Sequence, residues 1–456
     1  MSITELYELY NHYPSITTDS RDCPSGSIFF ALKGESFDGN AFAGKALQSG
    51  CAYAVVDNAE LAGNSCILDI NSSKIDINAR NNAILLDKCI LRMIVVDDVL
   101  TTLQQLACLH RKTLGIPVIG ITGTNGKTTT KELTAAILSK KYKTLSTRGN
   151  LNNHIGVPLT LLKLTREHEI AVIEMGANHP GEIRDLANIA LPDYGLITNV
   201  GYAHLEGFGS FEGVLRAKGE LYDYIREHEG KVFIDKDNKD LDGIAEGVDR
   251  ITYGIASETE PPFISGKISQ SSPFLSFAWS YAGIQYNVKT QLVGDYNLSN
   301  ALAAITIGVY FDVSPEQIND AIENYIPTNN RSQFMKTEHN ELIIDAYNAN
   351  PSSMRAALEN FASSEQLPKA VILGDMRELG EKSEELHSEI LKLAETSGFE
   401  KIMLCGEQFS AIGKKHTCFT SVEILGEYLE ENPLRGYQIL IKGSHGVHLE
   451  RIINKL

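Results

Sequence analysis

The sequence has no apolar run that approaches the roughly 20 residues of a membrane-spanning helix. Residues 1–14, MSITELYELYNHYP, carry neither a basic leading segment nor a long apolar stretch, so we do not expect a secretory signal. The seven cysteines are odd in number and form no C-x-x-C pair, which favours reduced thiols over a disulfide framework. These absences predict a cytoplasmic protein without membrane insertion.

Positive charge is also scarce. The 41 Lys and Arg residues are outnumbered by 58 Asp and Glu residues, which gives a net charge of −17. This balance argues against a general nucleic-acid-binding protein, because such a protein needs a basic face. A local cluster of cations can still bind an anionic small molecule. The length of 456 residues is too great for one hydrophobic core and predicts several domains.

The stretch GITGTNGKTTTKEL, residues 120–133, has the context of a phosphate-binding loop. The apolar run IPVIGIT, residues 116–122, predicts a buried strand before it. Leu133, Ile137 and Leu138 then recur at helical spacing, which predicts a helix after it. A glycine-rich turn between a strand and a helix presents backbone N–H groups to an anion.

The loop departs from the common pattern G-x-x-x-x-G-K-[ST], because Ile121 stands where the first glycine is expected. The sequence offers instead a shorter G-x-x-G-K-T pattern that starts at Gly123. In the functional interpretation, Lys127 reaches the β- and γ-phosphates of a nucleoside triphosphate and the Thr128 hydroxyl holds Mg²⁺. The alternative is a glycine-rich turn of an ordinary α/β domain.

The pattern of strands and helices predicts an α/β protein in three parts, residues 1–98, 99–327 and 328–456. The central part alternates strands and helices, as a parallel sheet with crossover helices does, and carries an antiparallel patch around 262–292. The last part predicts a second, Rossmann-like open sheet with ligands at the carboxyl ends of its strands. Its expected strands are 341–347, 369–375, 400–406 and 437–443, and its expected helices lie near 352–362, 381–397, 421–430 and 447–455.

Three further side chains could serve a bound nucleotide and its Mg²⁺. Glu174 ends an apolar strand, where a carboxylate beside a phosphate loop commonly holds Mg²⁺. His204 follows the next strand. Lys218 lies on an apolar helical stripe between Val214 and Tyr222, where a lysine is costly unless it is paired or neutral. A neutral amine there could react with CO₂ to give a carbamate, an anionic metal ligand. The alternatives are a solvent-facing acid, a solvated histidine and a snorkelling lysine.

A series of short motifs extends along nearly the whole chain. In order, they are GTNGKTT, NLNNHIGVPLTLL, EMGANHPGEI, ITNVGYAHLEGFGS, KGEL, GDYNLSNALAA, DAYNANPSSM, GDMRELG and KGSHGVHLE. This series resembles the Mur ligases, the cytoplasmic ATP-dependent amide ligases of peptidoglycan precursor synthesis. The earlier segment TTDSR…GSIFFALKGESFDGNAF is similar to the UDP-sugar-binding module of that family.

The resemblance is greatest to the branch of the family that adds D-alanyl-D-alanine, on the motifs NHIGVPLTLL, EMGANHPGEI, YNANPSSM and GDMRELG. It implies ATP and Mg²⁺ as cofactors, and UDP-N-acetylmuramoyl-tripeptide and D-alanyl-D-alanine as substrates. The three parts would be an N-terminal α/β UDP-sugar-binding domain, a central ATP-binding domain with a parallel sheet, and a C-terminal Rossmann-like domain. We expect the protein to be a monomer.

The resemblance also implies roles for individual residues. The ATP-binding residues would be Gly123, Thr124, Asn125, Gly126, Lys127, Thr128, Thr129, Asn297, Asn300, Arg331 and Asp345. The metal ligands would be Thr128, Glu174, His204 and a carbamylated Lys218, and the catalytic residues would be Lys127, Glu174, His204 and Lys218. The residues that contact the organic substrates would be Ser20, Arg21, Lys33, Gly34, Asp38, Asn150, Asn152, Asn153, Asn348, Asn350 and Ser352.

Three positions depart from the family pattern. Tyr296 stands where a histidine is usual, Asp235 where an asparagine is common, and His445 where an arginine is usual. These departures put contacts with the adenine or the dipeptide in doubt. The sequence also leaves open the third residue of the tripeptide and the base that accepts the proton of the incoming amine, for which His204 and His387 are candidates.

Other functions compete with this interpretation. One is a different Mur-type ligase or a folylpolyglutamate-type ligase, although the long segment before the phosphate loop weighs against the folate type. A second is a nucleotide-dependent switch that ligates nothing. A guanine-specific switch would need an N-K-x-D-like motif after a strand, and ITNVGYAH offers Asn199 with no Lys or Asp in register. A simple kinase would fit the phosphate loop but not the C-terminal sheet.

Overall fold

The computed structural model describes residues 1–61, 68–69, 92–255, 261–328, 330–364 and 368–456. Two of the cysteines, Cys66 and Cys89, lie outside these ranges. The cysteines inside them are free thiols, as the sequence predicts: Cys23, Cys51, Cys108, Cys405 and Cys418.

The described residues form two compact units. The first consists of Met1–Val118, Leu145–Met175 and Asp185–Pro192. The second consists of Ile119–Thr144, Gly176–Arg184 and Asp193–Leu456. The division into residues 1–98, 99–327 and 328–456 stays a prediction.

The helices and strands are numbered in chain order. The α-helices are α1 Ile3–His12, α2 Ala43–Gln48, α3 Val99–Leu114, α4 Lys127–Leu138, α5 Gly156–Leu161, α6 Glu182–Ala190, α7 Leu205–Phe208, α8 Phe211–Glu227, α9 Lys239–Ile244, α10 Asn297–Tyr310, α11 Pro315–Glu323, α12 Pro351–Ser363, α13 Ser383–Thr396, α14 Glu407–Ile412 and α15 Val422–Glu431. The short 3₁₀ helices are Gly39–Phe42, Gly380–Lys382, His445–Val447 and Leu449–Lys455.

The first strands are β1 Ile16–Thr17, β2 Ile28–Phe30, β3 Lys33–Gly34, β4 Phe37–Asp38, β5 Tyr53–Val56, β6 Leu68–Asp69, β7 Met93–Val95, β8 Val118–Thr122, β9 Thr144–Ser146, β10 Ile170–Glu174 and β11 Tyr194–Ile197. The remaining strands are β12 Lys231–Asp235, β13 Asp249–Ile255, β14 Ile264–Gln270, β15 Ser276–Tyr281, β16 Ile284–Lys289, β17 Gln333–Lys336, β18 Glu341–Asp345, β19 Lys369–Gly374, β20 Lys401–Cys405, β21 Thr417–Phe419 and β22 Gln438–Lys442.

The first unit contains a parallel sheet in the order β1-β2-β5-β7-β6. Its strand β2, IFF, is buried throughout, as expected for a strand covered on both faces. Helix α3 has clear local start and stop signals. The Asp98 carboxylate accepts from the backbone N–H of Thr101, and Gly115 ends the helix with a φ of 64°.

The second unit contains the strands around the phosphate loop. Strand β8 pairs in parallel with β11, and the parallel pairing continues through β12 and β13 to β14. Strands β15 and β16 then add in antiparallel fashion, which confirms the antiparallel patch predicted around 262–292. All five residues of β8, VIGIT, are buried, which explains why its sequence shows no alternation.

The same unit contains a second sheet in the order β17-β18-β22-β19-β20-β21. Its predicted strands β18, β19, β20 and β22 pair in parallel, as expected for an open α/β sheet. The sequence missed the antiparallel edge strand β17 and the short β21. The helix predicted at 447–455 is wrong in type, because the left-handed His448 interrupts it and Leu449–Lys455 is 3₁₀.

Parallel strands connected by helices confirm the predicted α/β class. Among the described residues, no helix combines the length and the apolar character needed to cross a membrane.

Candidate active site

The phosphate loop connects the end of β8, at Thr122, to the start of α4, at Lys127. Gly123 has a φ of 139° and Gly126 a φ of 79°, backbone conformations that favour glycine. A Cβ atom on Gly123 would lie 2.0 Å from the Thr198 hydroxyl, and one on Gly126 would lie 2.3 Å from the Asn300 amide oxygen. Both glycines are therefore required by close packing as well as by backbone conformation.

The residues after β11 hold the loop in place. The backbone N–H of Thr124 donates to the carbonyl of Asn199 at 2.9 Å, and that of Asn125 donates to the Asn199 side-chain oxygen at 3.0 Å. The carbonyl of Asn125 accepts from the Thr198 hydroxyl at 2.6 Å and from the Asn199 amide at 2.9 Å. The sequence had suggested Asn199 only as a fragment of a guanine-reading motif, whereas the structure assigns it to supporting the loop.

Lys127 folds back over the loop that it follows. Its Nζ donates to the carbonyl of Gly123 at 2.6 Å and to that of Thr124 at 3.0 Å. The next residue, Thr128, is buried, and Thr129 is half-buried. The loop thus carries a positive charge at the N-terminus of α4, where the helix dipole also favours an anion.

The N-terminus of α10 lies against the start of α4. The Thr130 hydroxyl donates to the side-chain oxygen of Asn300 at 3.1 Å, and the Asn300 amide donates to Asn297 at 2.8 Å. Asn297 in turn donates to the carbonyl of Val293 at 2.8 Å. The structure therefore brings Asn297 and Asn300 to the phosphate loop as predicted, while their contact with a nucleotide stays a prediction.

Two of the atypical positions have definite partners. The Asp235 carboxylate accepts from the Ser299 hydroxyl at 2.7 Å and from the backbone N–H of Asp237 at 3.1 Å. Burial raises the pKa of Asp235. The Tyr296 hydroxyl lies 2.9 Å from that of Ser332, and burial likewise raises the pKa of the tyrosine.

The C-terminal residues predicted to contact ATP are held by neighbours from their own sheet. Asp345, at the end of β18, forms an ion pair with Lys442, a buried residue that sequence reasoning missed. The Arg331 guanidinium lies 3.8 Å from the ring centre of Tyr347. Tyr347 also contacts His445, the third atypical residue, with ring centres 5.8 Å apart.

The N-terminus of α12 reaches the phosphate loop. Asn350 accepts from the backbone N–H of Ser353 at 2.9 Å, which caps the helix, and its amide donates to the side-chain oxygen of Asn125 at 2.8 Å. The Ser352 hydroxyl accepts from the backbone N–H of Tyr202 at 3.3 Å. Asn348 lies two residues before the cap and accepts from the backbone N–H of Ala349. The structure thus brings Asn350 to the loop, while the contacts of Asn348, Asn350 and Ser352 with a dipeptide stay predictions.

His204 has a left-handed backbone, with a φ of 51°, and its Nδ1 contacts the carboxylate of Glu378. The histidine lowers the pKa of Glu378. The backbone carbonyl of Glu378 also accepts from the N–H of Glu206 at 3.4 Å. Sequence reasoning missed Glu378, because it lies 174 positions from His204.

Lys218 is only 2% exposed, so the snorkelling alternative is wrong. Its Nζ donates to the carbonyl of Ala177 at 3.2 Å and lies 5.2 Å from the ring centre of Phe208. Burial, reinforced by repulsion from Lys127, lowers the pKa of Lys218 to about 7. A substantial fraction of this amine is therefore neutral near pH 7.

His387 is unsuited to the role of catalytic base. It is fully buried, and its Nε2 accepts from the backbone N–H of Met376 at 3.0 Å. Its Nδ1 lies 2.7 Å from the carbonyl of Ser383, which requires a proton on that nitrogen. Burial lowers the pKa of His387, which favours the neutral ring. Both ring nitrogens of the neutral histidine are occupied by hydrogen bonds to backbone groups.

In the first unit, Glu174 is 1% exposed, so the solvent-facing alternative is wrong for this carboxylate. Its Oε1 accepts from the Asn152 amide at 2.8 Å. The next predicted residue, Asn153, caps α5 by accepting from the backbone N–H of Gly156 at 2.9 Å, and Asn150 is exposed. The structure places Asn152 beside Glu174, while the substrate contacts of Asn150, Asn152 and Asn153 stay predictions.

The predicted UDP-sugar residues also lie in the first unit. Strands β3 and β4 pair Lys33 with Asp38, and the Lys33 ammonium lies 2.9 Å from the carboxylate of Asp57. Asn40, which sequence reasoning missed, donates to both Asp38 and Asp57. Ser20 and Arg21 precede this hairpin in the chain, Gly34 ends its first strand, and Arg21 forms an exposed ion pair with Asp19.

Comparison with known proteins identifies the family. The Mur ligase family catalytic domain matches residues 12–111, the Mur ligase middle domain matches residues 121–308, and the Mur ligase glutamate ligase domain matches residues 330–445. The chain belongs to the Mur ligase family.

Individual relatives cover almost the whole of this Mur ligase. The UDP-N-acetylmuramoyl-tripeptide–D-alanyl-D-alanine ligase of Bacillus subtilis is 34% identical over 97% of this chain and 92% of its own. The crystal structure of MurF from Acinetobacter baumannii has a TM-score of 0.82 and 30% identity, and covers 100% of this chain and 98% of its own. MurF ligase from Thermotoga maritima in complex with ADP has a TM-score of 0.79 and 25% identity, over 97% and 96% of the two chains.

The residues predicted to hold Mg²⁺ provide suitable donors, since Mg²⁺ prefers oxygen ligands and retains several waters. Thr128 offers a hydroxyl, Glu174 a buried carboxylate and a carbamylated Lys218 an additional carboxylate-like group. Across the described ranges, no cluster of three or more His, Cys, Asp or Glu side chains could hold a metal by itself. The metal assignment of this Mur ligase, including that of His204, stays a prediction.

Replacing Gly126 with alanine is expected to raise the KM for ATP by about tenfold or more, because the loop must shift to relieve the Cβ contact with Asn300. Gly283 provides a matched control, since its φ of 78° equals that of Gly126 within a degree and a Cβ there meets open space. Steady-state kinetics of G126A and G283A measure the difference. Equal KM values for ATP in the two variants would show that the loop tolerates the displacement.

Proposed function

We propose that this Mur ligase joins D-alanyl-D-alanine to the terminal carboxylate of UDP-N-acetylmuramoyl-tripeptide and that formation of the amide is coupled to conversion of ATP to ADP and phosphate. The product is UDP-N-acetylmuramoyl-pentapeptide, a peptidoglycan precursor. The observation that carries the proposal is the phosphate loop fixed on one side by Asn199 and contacted on the other by Asn350. A C-terminal segment thus contacts the nucleotide-binding loop directly. Similarity to D-alanyl-D-alanine-adding relatives also extends over the full chain.

The arrangement suits activation of a carboxylate by phosphoryl transfer. The tripeptide carboxylate attacks the γ-phosphorus of ATP and forms an acyl phosphate, and ADP leaves. The reacting groups are all anionic, so positive charge must stabilise them as they approach each other. Lys127 provides that charge at the loop, and the N-terminus of α4 adds the backbone N–H groups.

The second step forms the amide bond. The neutral amine of the dipeptide attacks the acyl carbon, phosphate leaves with the electron pair of the C–O bond, and the amine loses a proton to a base or to the departing phosphate. His204 stays a candidate for that base as an alternative to a role as metal ligand, because it is partly exposed and its Nε2 is the ring nitrogen that does not face Glu378.

Bound Mg²⁺ would supply positive charge that offsets part of the negative charge of the phosphates. Thr128, Glu174, His204 and a carbamylated Lys218 are the proposed groups around it. Burial with a pKa of about 7 favours carbamylation of Lys218, because only a neutral amine reacts with CO₂.

The remaining assignments concern the organic substrates and the assembly. Residues 1–98 would bind the UDP-sugar, with residues 99–327 and 328–456 as the ATP-binding and Rossmann-like domains. The enzyme would act as a cytoplasmic monomer without nucleic-acid partners. The UDP-sugar and peptide contacts would come from Ser20, Arg21, Lys33, Gly34, Asp38, Asn150, Asn152, Asn153, Asn348, Asn350 and Ser352.

Purified protein with ATP and Mg²⁺ is expected to release phosphate only when both organic substrates are present. The expected mass of the product is that of the tripeptide substrate plus D-alanyl-D-alanine minus water. Omitting each substrate in turn provides the control. Phosphate release without the dipeptide, or without formation of pentapeptide, would favour a sister ligase or a non-ligating nucleotidase.

A further inference from the structure

A cavity of about 570 Å³ lies beside Ser352 in the second unit, between the N-terminal turns of α12 and helix α13. Tyr202 and Leu205, from the segment after β11, form its third side. The volume lies in the range of about 300–1,000 Å³ that is typical of small-ligand sites. Asn350 donates to Asn125 of the phosphate loop just before α12 begins, so one end of the cavity is close to the loop.

The wall of the cavity carries charges of both signs. Arg355 lies one helical turn beyond Ser352 on α12, and its Nη2 is 3.4 Å from a carboxylate oxygen of Glu389 on α13. The Arg355 side chain is 48% exposed. A guanidinium has five N–H donors, so contact with Glu389 leaves donors that can bind a second carboxylate. Glu359 and Glu385 provide negative charge elsewhere on the wall, and Lys382 provides a second positive charge from the residues just before α13.

Apolar surface separates these charges. Leu205, Pro351, Ala356 and Leu386 line the cavity together with the ring of Tyr202. A ligand that fits such a wall has small apolar side chains and separated positive and negative ends. A zwitterionic dipeptide of two alanines has these features, with one methyl group on each residue, an ammonium at one end and a carboxylate at the other.

We propose that this cavity, defined by Ser352, Arg355, Leu205 and Leu386, binds the D-alanyl-D-alanine substrate and that Arg355 binds its carboxylate. The amino end then points to Ser352, the end of the cavity nearest the phosphate loop, where the amine must attack. Glu389 is a positioning residue, since it orients the guanidinium from the facing helix. This inference rests on the proposed function and specifies the acceptor site within it.

The test compares D-alanyl-D-alanine with its C-terminal amide in the wild type and in R355A. The amide lacks the negative charge that Arg355 is proposed to bind. In the wild type we expect the KM of the amide to exceed that of the dipeptide by about tenfold or more, as expected for the loss of a charge-assisted hydrogen bond. In R355A we expect the KM of the dipeptide to rise about tenfold or more, and the dipeptide and its amide to differ by less than about twofold. The KM values for ATP and UDP-N-acetylmuramoyl-tripeptide should not change.

R451A is the matched control. Arg451 forms a similar exposed ion pair with Glu423 at 2.9 Å, away from the cavity. This variant loses an arginine and a surface ion pair, but it should discriminate between the dipeptide and its amide as the wild type does. Comparison of its thermal midpoint with that of R355A detects any general loss of stability. A356F is a second variant, in which the added ring should fill the cavity and raise the KM of dipeptide and amide alike.

Several outcomes would overturn the inference. R355A could retain the wild-type preference for the dipeptide over its amide, or A356F could leave the KM of the dipeptide unchanged. A rise in the KM of the tripeptide substrate alone would instead assign the cavity to the third residue of the peptide. Failure of the wild type to form pentapeptide would overturn the proposed function itself, and this outcome is distinct because it appears before any variant is compared.

Discussion

Replacing Lys127 with methionine is expected to lower kcat/KM for pentapeptide formation by about 10³-fold or more. The lysine provides the positive charge at the phosphate loop, and its Nζ is within 3.0 Å of two loop carbonyls. Methionine retains most of the apolar stem and removes the charge together with the two hydrogen bonds to the loop carbonyls. Because the charge acts mainly on the phosphoryl groups in the transition state, most of the loss should appear in kcat.

Lys140→Met is the control for this experiment. Lys140 follows the same helix, α4, and forms an exposed ion pair with Asp320 at 2.5 Å. Exposed pairs of this kind contribute about 0–1 kcal/mol to stability, so K140M should retain nearly wild-type kinetics. Phosphate release and product mass are measured together for both variants. If K127M keeps more than a tenth of the wild-type kcat, the loop does not stabilise the transferring phosphoryl group through this lysine.

The phosphate loop could be predicted from the sequence because its signals are local. A buried strand, a glycine-rich turn and an amphipathic helix occupy consecutive positions, and each has a recognisable pattern. The need for glycine at 123 and 126 has a further cause that the sequence does not reveal. Their missing Cβ atoms give space to Thr198 and Asn300, which are distant in the chain.

The contacts that complete the site could not be predicted, because each joins residues from distant segments. Asn199 supports the loop from 74 positions away, and Glu378 contacts His204 from 174 positions away. Lys442 pairs with Asp345 across neighbouring parallel strands. A single sequence shows periodicity and local motifs, but it does not show which strand ends become neighbours.

Lys218 was predictable from the sequence in part. Its position on the apolar stripe of α8 predicted burial, and the structure confirms it. The size of the pKa shift of Lys218 depends on residues that the fold brings close. The Ala177 carbonyl accepts a hydrogen bond from the amine, and the charge of Lys127 repels it. Sequence periodicity can therefore identify an unusual lysine, whereas the protonation of the lysine follows from groups that the fold assembles.

Replacing Lys218 with methionine is expected to lower kcat by about 10²-fold or more and, at the same time, to stabilise the folded protein. The variant cannot form a carbamate and removes a buried ionisable group from an apolar site. Kinetic assays and urea unfolding of K218M and the wild type give the two results. Wild-type protein in ¹³C-bicarbonate should also show a carbamate carbon signal by NMR that K218M lacks.

The pH dependence of unfolding distinguishes the effect of the buried amine from a general change in packing. The pKa of Lys218 is about 7 in the folded state, against an ordinary value of 10.5, so the unfolded chain binds more protons between these two pH values. The contribution of Lys218 to the stability of the wild type therefore rises with pH across this window, by an amount of order 1 kcal/mol per pH unit, whereas K218M lacks this contribution. The advantage of K218M should be greatest at pH 7 and below and should shrink towards pH 9 in CO₂-free buffer. A constant difference in unfolding free energy between pH 7 and pH 9 would show that Lys218 keeps an ordinary pKa, and the case for a neutral, carbamate-forming amine would fail with it.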